Sequence, residues 1–236
     1  MDLSKIYNNN EKNTSSQEDY DSFNKLIFSK DIKILGKLLH RYDFYNKTKH
    51  LPGDIVEIGV FKGSGVATFS KFLEIYSPHS IKKIIGFDIF DPSNSSDVLN
   101  KDNIIDAENM NIVYSRVNSN DRTLDKVNSQ LSNMNINKHL LIEGDVEDTL
   151  PKFKSENPGF RISLLYIDVD IERPTYYSLK YLWDRVVPGG VIVFDEYEYN
   201  KWSESCGVDK FLKENNITYN LKTTNWLCPT AYLIKE

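Results

Sequence analysis

Two apolar runs, LLYI at residues 164–167 and VIVF at 191–194, each stop at acid: Asp168 after the first, Asp195 and Glu196 after the second. Between them, residues 174–185 repeat apolar side chains at helical spacing. Short continuous apolar runs separated by amphipathic helices specify parallel strands. A parallel pair needs a crossover long enough to hold a helix, and that helix then covers the sheet. The alternation runs through most of the chain. Strands are expected at 54–59, 83–89, 139–144, 163–168 and 191–196, and helices at 63–76, 121–132, 146–154, 174–185 and 204–215. Two last runs, 217–223 and 230–234, have no helix between them and predict an antiparallel hairpin. The expected class is α/β, a mostly parallel sheet with helices on both faces.

Ahead of the first strand, residues 7–22 have the polar composition of a mobile arm, and 23–45 carry apolar residues near helical spacing. The division read from this is an N-terminal arm with helices over 1–50, a candidate lid, and a main domain over 51–236. Residues 91–120 break the rhythm just after the second strand, with a polar stretch much longer than a usual strand-to-helix connection. Its place at the carboxyl edge of the sheet makes it a second lid candidate, against the plainer reading of a solvated surface insertion.

Charge and cysteine usage narrow the partners. With 29 basic against 34 acidic residues, net −5, and no basic cluster, the chain offers nothing to nucleic acid or an anionic membrane. No apolar stretch approaches the roughly 18–20 residues of a membrane span. The opening MDLSKIYNNN lacks the apolar core of a signal peptide, so the expected location is cytoplasmic. Cys206 and Cys228 show no zinc-ligand spacing and are read as reduced thiols. His40, His50, His79 and His139 are scattered, and none sits in a nucleophile motif. The expected partner is a small molecule.

VEIGVFKGSG, residues 56–65, places Gly59, Gly63 and Gly65 at a strand-to-helix junction, where glycine lets the backbone turn tightly and approach a ligand. The spacing G-x-x-x-G-x-G is neither G-x-G-x-x-G nor a P-loop, which disfavours a nicotinamide oxidoreductase. Acids mark five strand ends: Glu57, Asp88, Asp145, Asp168, and Asp195 with Glu196. Helix capping explains one or two of these. The set is better explained by a ligand site, because ligands of open α/β sheets bind at that edge. Asp88 is placed to accept both hydroxyls of a ribose. Tyr197, Tyr199 and Trp202, just past the last acids, are candidates to wall an acceptor pocket.

VEIGVFKGSG, GDVEDTLP, YIDVDIERPTYYSLKYLWDRVVPGGVIVFDEY and the following W…CGVDKFL resemble the class I S-adenosylmethionine-dependent methyltransferases. Within them the likeness is to the macrocin O-methyltransferase family, over about residues 51–215. The resemblance implies a Rossmann-like fold whose seven-stranded sheet has an antiparallel last strand. It implies metal-dependent methylation of a hydroxyl on a sugar or sugar-bearing molecule, by a homodimer. Catechol-type O-methylation and non-catalytic cofactor binding stay as alternatives. Carried over by position, Glu57, Gly59 and Gly63, with Ser64 beside them, surround the methionine moiety; Asp88 holds the ribose and Asp145 lies near the adenine. Asp168, Asp195 and Glu196 match acids for Mg2+ or another hard divalent cation, and Asp168 doubles as the base. Glu196 stands where the family commonly has a second Asp, one methylene shorter.

Overall fold

Side-chain alternation along the strands sorts the core into two layers. The structure, a computed structural model, describes residues 16–90 and 95–236. Val56, Ile58, Phe87, Leu165, Ile167, Ile192 and Phe194 point to one face, and Ile55, Ile84, Leu164, Tyr166, Val191 and Val193 to the other. Along these strands of the sheet's centre neither face sees water, so both positions of the two-residue repeat are apolar. The strands are β1 (Asp54–Ile58), β2 (Ile84–Asp88), β3 (His139–Glu143), β4 (Ile162–Ile167), β5 (Val186–Phe194), β6 (Lys222–Thr223) and β7 (Ala231–Ile234). They form one seven-stranded sheet in the order β3-β2-β1-β4-β5-β7-β6. All pairs from β3 to β5 are parallel, and β7 runs antiparallel between β5 and β6. The terminal hairpin and the mostly parallel sheet follow the sequence reading, although β6 keeps only two residues.

Six of the nine α-helices among the described residues cover this sheet. On one face lie α2 (Lys33–Thr48), α3 (Ser64–Tyr76) and α6 (Leu124–Ser132), through Phe44, Phe69, Leu73 and Val127. On the other lie α7 (Val146–Glu156), α8 (Glu172–Leu182) and α9 (Glu204–Glu214), through Leu150, Leu179, Leu182 and Phe211. Each such side chain, fully buried, contributes about 1.5–3 kcal/mol. No helix among the described residues is long and apolar enough to cross a membrane.

The first helix, α1 (Gln17–Ile27), corrects part of the expected arm: residues 17–22 are helical. Ser16 accepts from the Asp19 N–H, Glu18 and Asp19 sit in the first turn and Lys25 in the last, so caps and dipole offset the polar composition. The rest of that arm, 7–15, lies outside the described residues.

The 91–120 segment is mostly structured. Past residues 91–94, which lie outside the described set, it forms α4 (Ser95–Leu99) and α5 (Ile104–Ser115), the latter capped by Asn103 on the Asp106 N–H. The buried Arg122 ties the two together: its guanidinium stacks 4.0 Å over the Tyr114 ring and donates to Ser95 Oγ.

The strand order reverses between β1 and β4, because the chain builds outward to β2 and β3 and then returns. Register lines up the strand ends at that point. Ile58 pairs with Phe87 and Ile167, and Ile167 with Phe194, so Gly59, Asp88, Asp168 and Asp195 follow in one row.

Candidate active site

Gly59 opens the turn after β1 with φ +89°, and a Cβ there would fall 1.9 Å from the Asp168 carbonyl oxygen. Only glycine lets the ends of β1 and β4 pass this closely. The next two N–H groups, of Val60 and Phe61, both donate to Asp88 Oδ2 at 2.8 Å. Asp88 Oδ1 accepts from Phe90 N–H. Asp88 therefore holds the glycine-rich turn in shape as well as facing the space above it.

That space is a cavity of about 280 Å³ at the reversal point of the strand order. Glu57, Gly59, Ser64, Asp88, Asp145 and Asp168 line its floor and walls. Val98, Leu99, Met110, Val113 and Tyr114 of the 91–120 segment roof it. Gly63 does not reach it. With φ +86° at the N-cap of α3, Gly63 faces Val127 instead, so its glycine serves the backbone turn and close packing against α6. Gly65 gives Glu57 its room: a Cβ on Gly65 would lie 1.7 Å from Glu57 Oε1.

Glu57 is 1% exposed and Arg41 is 6% exposed, and Arg41 Nη2 donates to Glu57 Oε1 at 2.9 Å. The Arg41 guanidinium also lies 5.0 Å from the Tyr166 ring centroid and 5.9 Å from that of Phe69. Burial pushes Glu57 up to about 7 although Arg41 pulls it back. Glu57 Oε2 is buried with no hydrogen-bond partner among the described residues.

One helical turn before Arg41, Lys37 Nζ donates to Asp168 Oδ2 at 2.7 Å and to Asp195 Oδ2 at 2.9 Å. Tyr166 OH donates to the other Asp195 oxygen at 2.7 Å. Burial raises both aspartates, but Lys37 and Arg41 outweigh it at Asp168, whose carboxyl ends below its ordinary value. At Asp195 burial and the Asp168 charge prevail, and its pKa is raised. Asp168 is thus the member of the pair that its neighbouring cations favour more as a carboxylate.

Glu196 stands apart. Its Oε1 accepts from Cys228 Sγ, its N–H donates to Glu204 Oε1, and its Oε2 has no hydrogen-bond partner among the described residues. Burial raises its carboxyl to about 6. Asp195, Glu196 and Cys228 bring ligand atoms within 4.8 Å of one another, whereas Asp168 is not part of that group. The three acids expected to share one ion therefore split: Asp168 and Asp195 converge on one cation position, held by Lys37 Nζ, and Glu196 turns towards Cys228. The hard oxygens of Asp168 and Asp195 fit a magnesium-type ion at that position, and a Glu196 carboxylate oxygen lies within 4.8 Å of one of Asp195.

Asp145 lines the cavity while capping α7 and pairing with Lys101 and Arg173, each at 2.9 Å. Tyr197, Tyr199 and Trp202 do not line the cavity. Tyr197 bonds Asp209, and Trp202 packs beside Leu99, Met110 and Ile171. Among the charged lining residues, Lys37, Arg41, Asp102, Arg122, Asp170 and Arg173 escaped the sequence reading. For the first two a signal existed, since cations four apart on a helix share a face. Asp170 has φ +66°, and burial followed by the Asp168 charge holds its carboxyl well above the ordinary value.

The model of the macrocin O-methyltransferase (TylF) family matches residues 39–232. No curated protein is significantly similar. Among solved structures, the calicheamicin methyltransferase CalS11 superposes with a TM-score of 0.71 at 24% identity, over 98% of this chain and 89% of its own. An apo structure of CalS11, described as a TDP-rhamnose 3'-O-methyltransferase, gives 0.66 at 25% identity, over 98% and 90%. The O-methyltransferase NovP gives 0.65 at 20% identity, over 86% and 80%.

Proposed function

Because the chain belongs to the macrocin O-methyltransferase family, a family of S-adenosylmethionine-dependent enzymes, we propose that it methylates a hydroxyl of a sugar or sugar-bearing small molecule. The family match over residues 39–232 carries this reading. The acceptor of CalS11, TDP-rhamnose, supports the sugar class.

Methyl transfer from a sulfonium is an in-line displacement, so the protein's task is to hold donor and acceptor oxygen in line and to take a proton. In this reading Asp88 accepts the ribose hydroxyls, and Gly59 and Ser64 admit the donor close to the backbone. Glu57 Oε2, buried and unpaired, accepts from the ammonium of the methionine moiety. Arg41 beside it offers its charge to the methionine carboxylate. Asp168, ionised and facing the cavity, takes the proton of the acceptor hydroxyl. A hard divalent ion, when bound, would lower the pKa of that hydroxyl; Asp168 and Asp195 are the residues that would hold it.

Asp88→Ala tests the cofactor half. It removes charge-assisted hydrogen bonds of roughly 1.5–3 kcal/mol, so calorimetry with S-adenosylhomocysteine should show binding weakened about tenfold or more. Unchanged affinity would take Asp88 out of the cofactor site.

The roof made by α4 and α5 acts, in the same reading, as a lid over bound ligands. Protease should cut within 91–120 of the free protein and more slowly once S-adenosylhomocysteine is bound. Equal rates would leave the segment a plain surface insertion.

A further inference from the structure

A single cation position lies between Asp168 Oδ2 and Asp195 Oδ2, and the chain fills it from its own helix. Lys37 Nζ sits 2.7 Å from one oxygen and 2.9 Å from the other. Asp195 spends its remaining oxygen on Tyr166 OH, and Arg41 stands 3.5 Å from Asp168 Oδ2. An ammonium and a divalent ion cannot both occupy the gap between these two oxygens.

The location of Lys37 explains how exchange would occur. α2 is anchored by its second half, where Arg41 is paired with Glu57 and Phe44, Tyr45 and Thr48 are buried. Its first half packs Gly36 against Trp226 but leaves Ile34, Leu38 and Leu39 exposed. The N-cap, Ile32, makes no side-chain cap, and the first turn holds no acid. Lysines in this half oppose the helix dipole, so the acids at the sheet edge are what favour Lys37 there. A lysine is a point charge on a flexible four-carbon stem, so its ammonium can leave while the helix stays.

We propose that Lys37 is a tethered competitor for the divalent cation: an ion enters between Asp168 and Asp195 only by displacing its ammonium. This rests on the reading of those two aspartates as the cation position. In consequence the affinity for metal is set by residue 37 on α2 as much as by the acids, and the metal-free site keeps its acids compensated.

The test is Mn2+ binding to the full chain, followed by electron paramagnetic resonance of the free ion. Lys37→Met, which keeps the stem length and drops the charge, should bind Mn2+ about tenfold or more tightly than the parent, since a unit charge beside the ion is removed. Lys37→Arg should stay near the parent, and adding Asp195→Asn to Lys37→Met should abolish the gain. S-adenosylhomocysteine calorimetry on each variant reports folding and cofactor binding independently of metal. Equal Mn2+ affinity of parent and Lys37→Met, or no binding by either, overturns the competition. The methyltransferase reading fails separately, if the parent shows no cofactor binding in that calorimetry.

Discussion

Asp168→Asn should lower the rate of methyl transfer about 10²- to 10⁴-fold, the usual contribution of a positioned proton acceptor. The substitution keeps the shape of the side chain and removes both charge and basicity. Cofactor affinity should hold, because Asp88 and Glu57 sit on β2 and β1 and do not bond Asp168. Lys37 keeps its second partner, Asp195, at 2.9 Å, so the site should not collapse. The loss therefore belongs in kcat under saturating cofactor, and single-turnover kinetics reads it. Asp170→Asn is the comparison, since Asp170 lines the same cavity two residues on. A parent-like rate in Asp168→Asn with a large loss in Asp170→Asn would move the proton acceptor to Asp170.

Arg41→Met should cost about 3–5 kcal/mol of stability, because it strands the Glu57 carboxylate in the core without its counter-charge. In a chain of this size each kcal/mol lowers the melting temperature by roughly 2–4 °C. Glu57→Gln in the same chain should recover much of the loss, since no buried charge is then left uncompensated. Thermal unfolding of the two single variants and the double variant measures the coupling. Additive losses would show that Arg41 acts through packing on Tyr166 and Phe69 rather than through Glu57.

The strands were legible because burial on both faces makes each a continuous apolar run, as in β4, where all six residues are buried. β5 begins earlier than the expected 191, at Val186, with a register irregularity between Val186 and Val191. The row of acids was legible for the same reason the strands were, since parallel strands in register deliver their ends to one edge. What lies opposite that edge was not. Lys37 and Arg41 reach the acids from α2, and that contact depends on how a helix preceding the sheet packs on it. Gly63, which the resemblance puts beside the methionine moiety, has a positive φ at the N-cap of α3 and faces Val127. The place of Asp145 near an adenine is what the family resemblance implies. Its pairing with Lys101 and Arg173 comes from segments 44 and 28 residues away.

In the proposed function the cavity beside Asp168 passes a methyl group from S-adenosylmethionine to a sugar oxygen. The most direct measurement supplies cofactor labelled on its methyl group together with a panel of nucleotide-linked sugars, glycosides and catechols, and locates the label by mass spectrometry. The expected result is label on a sugar hydroxyl, one S-adenosylhomocysteine formed per methyl transferred, and loss of both with Asp168→Asn. Label on a catechol oxygen, with none on any sugar, would contradict it.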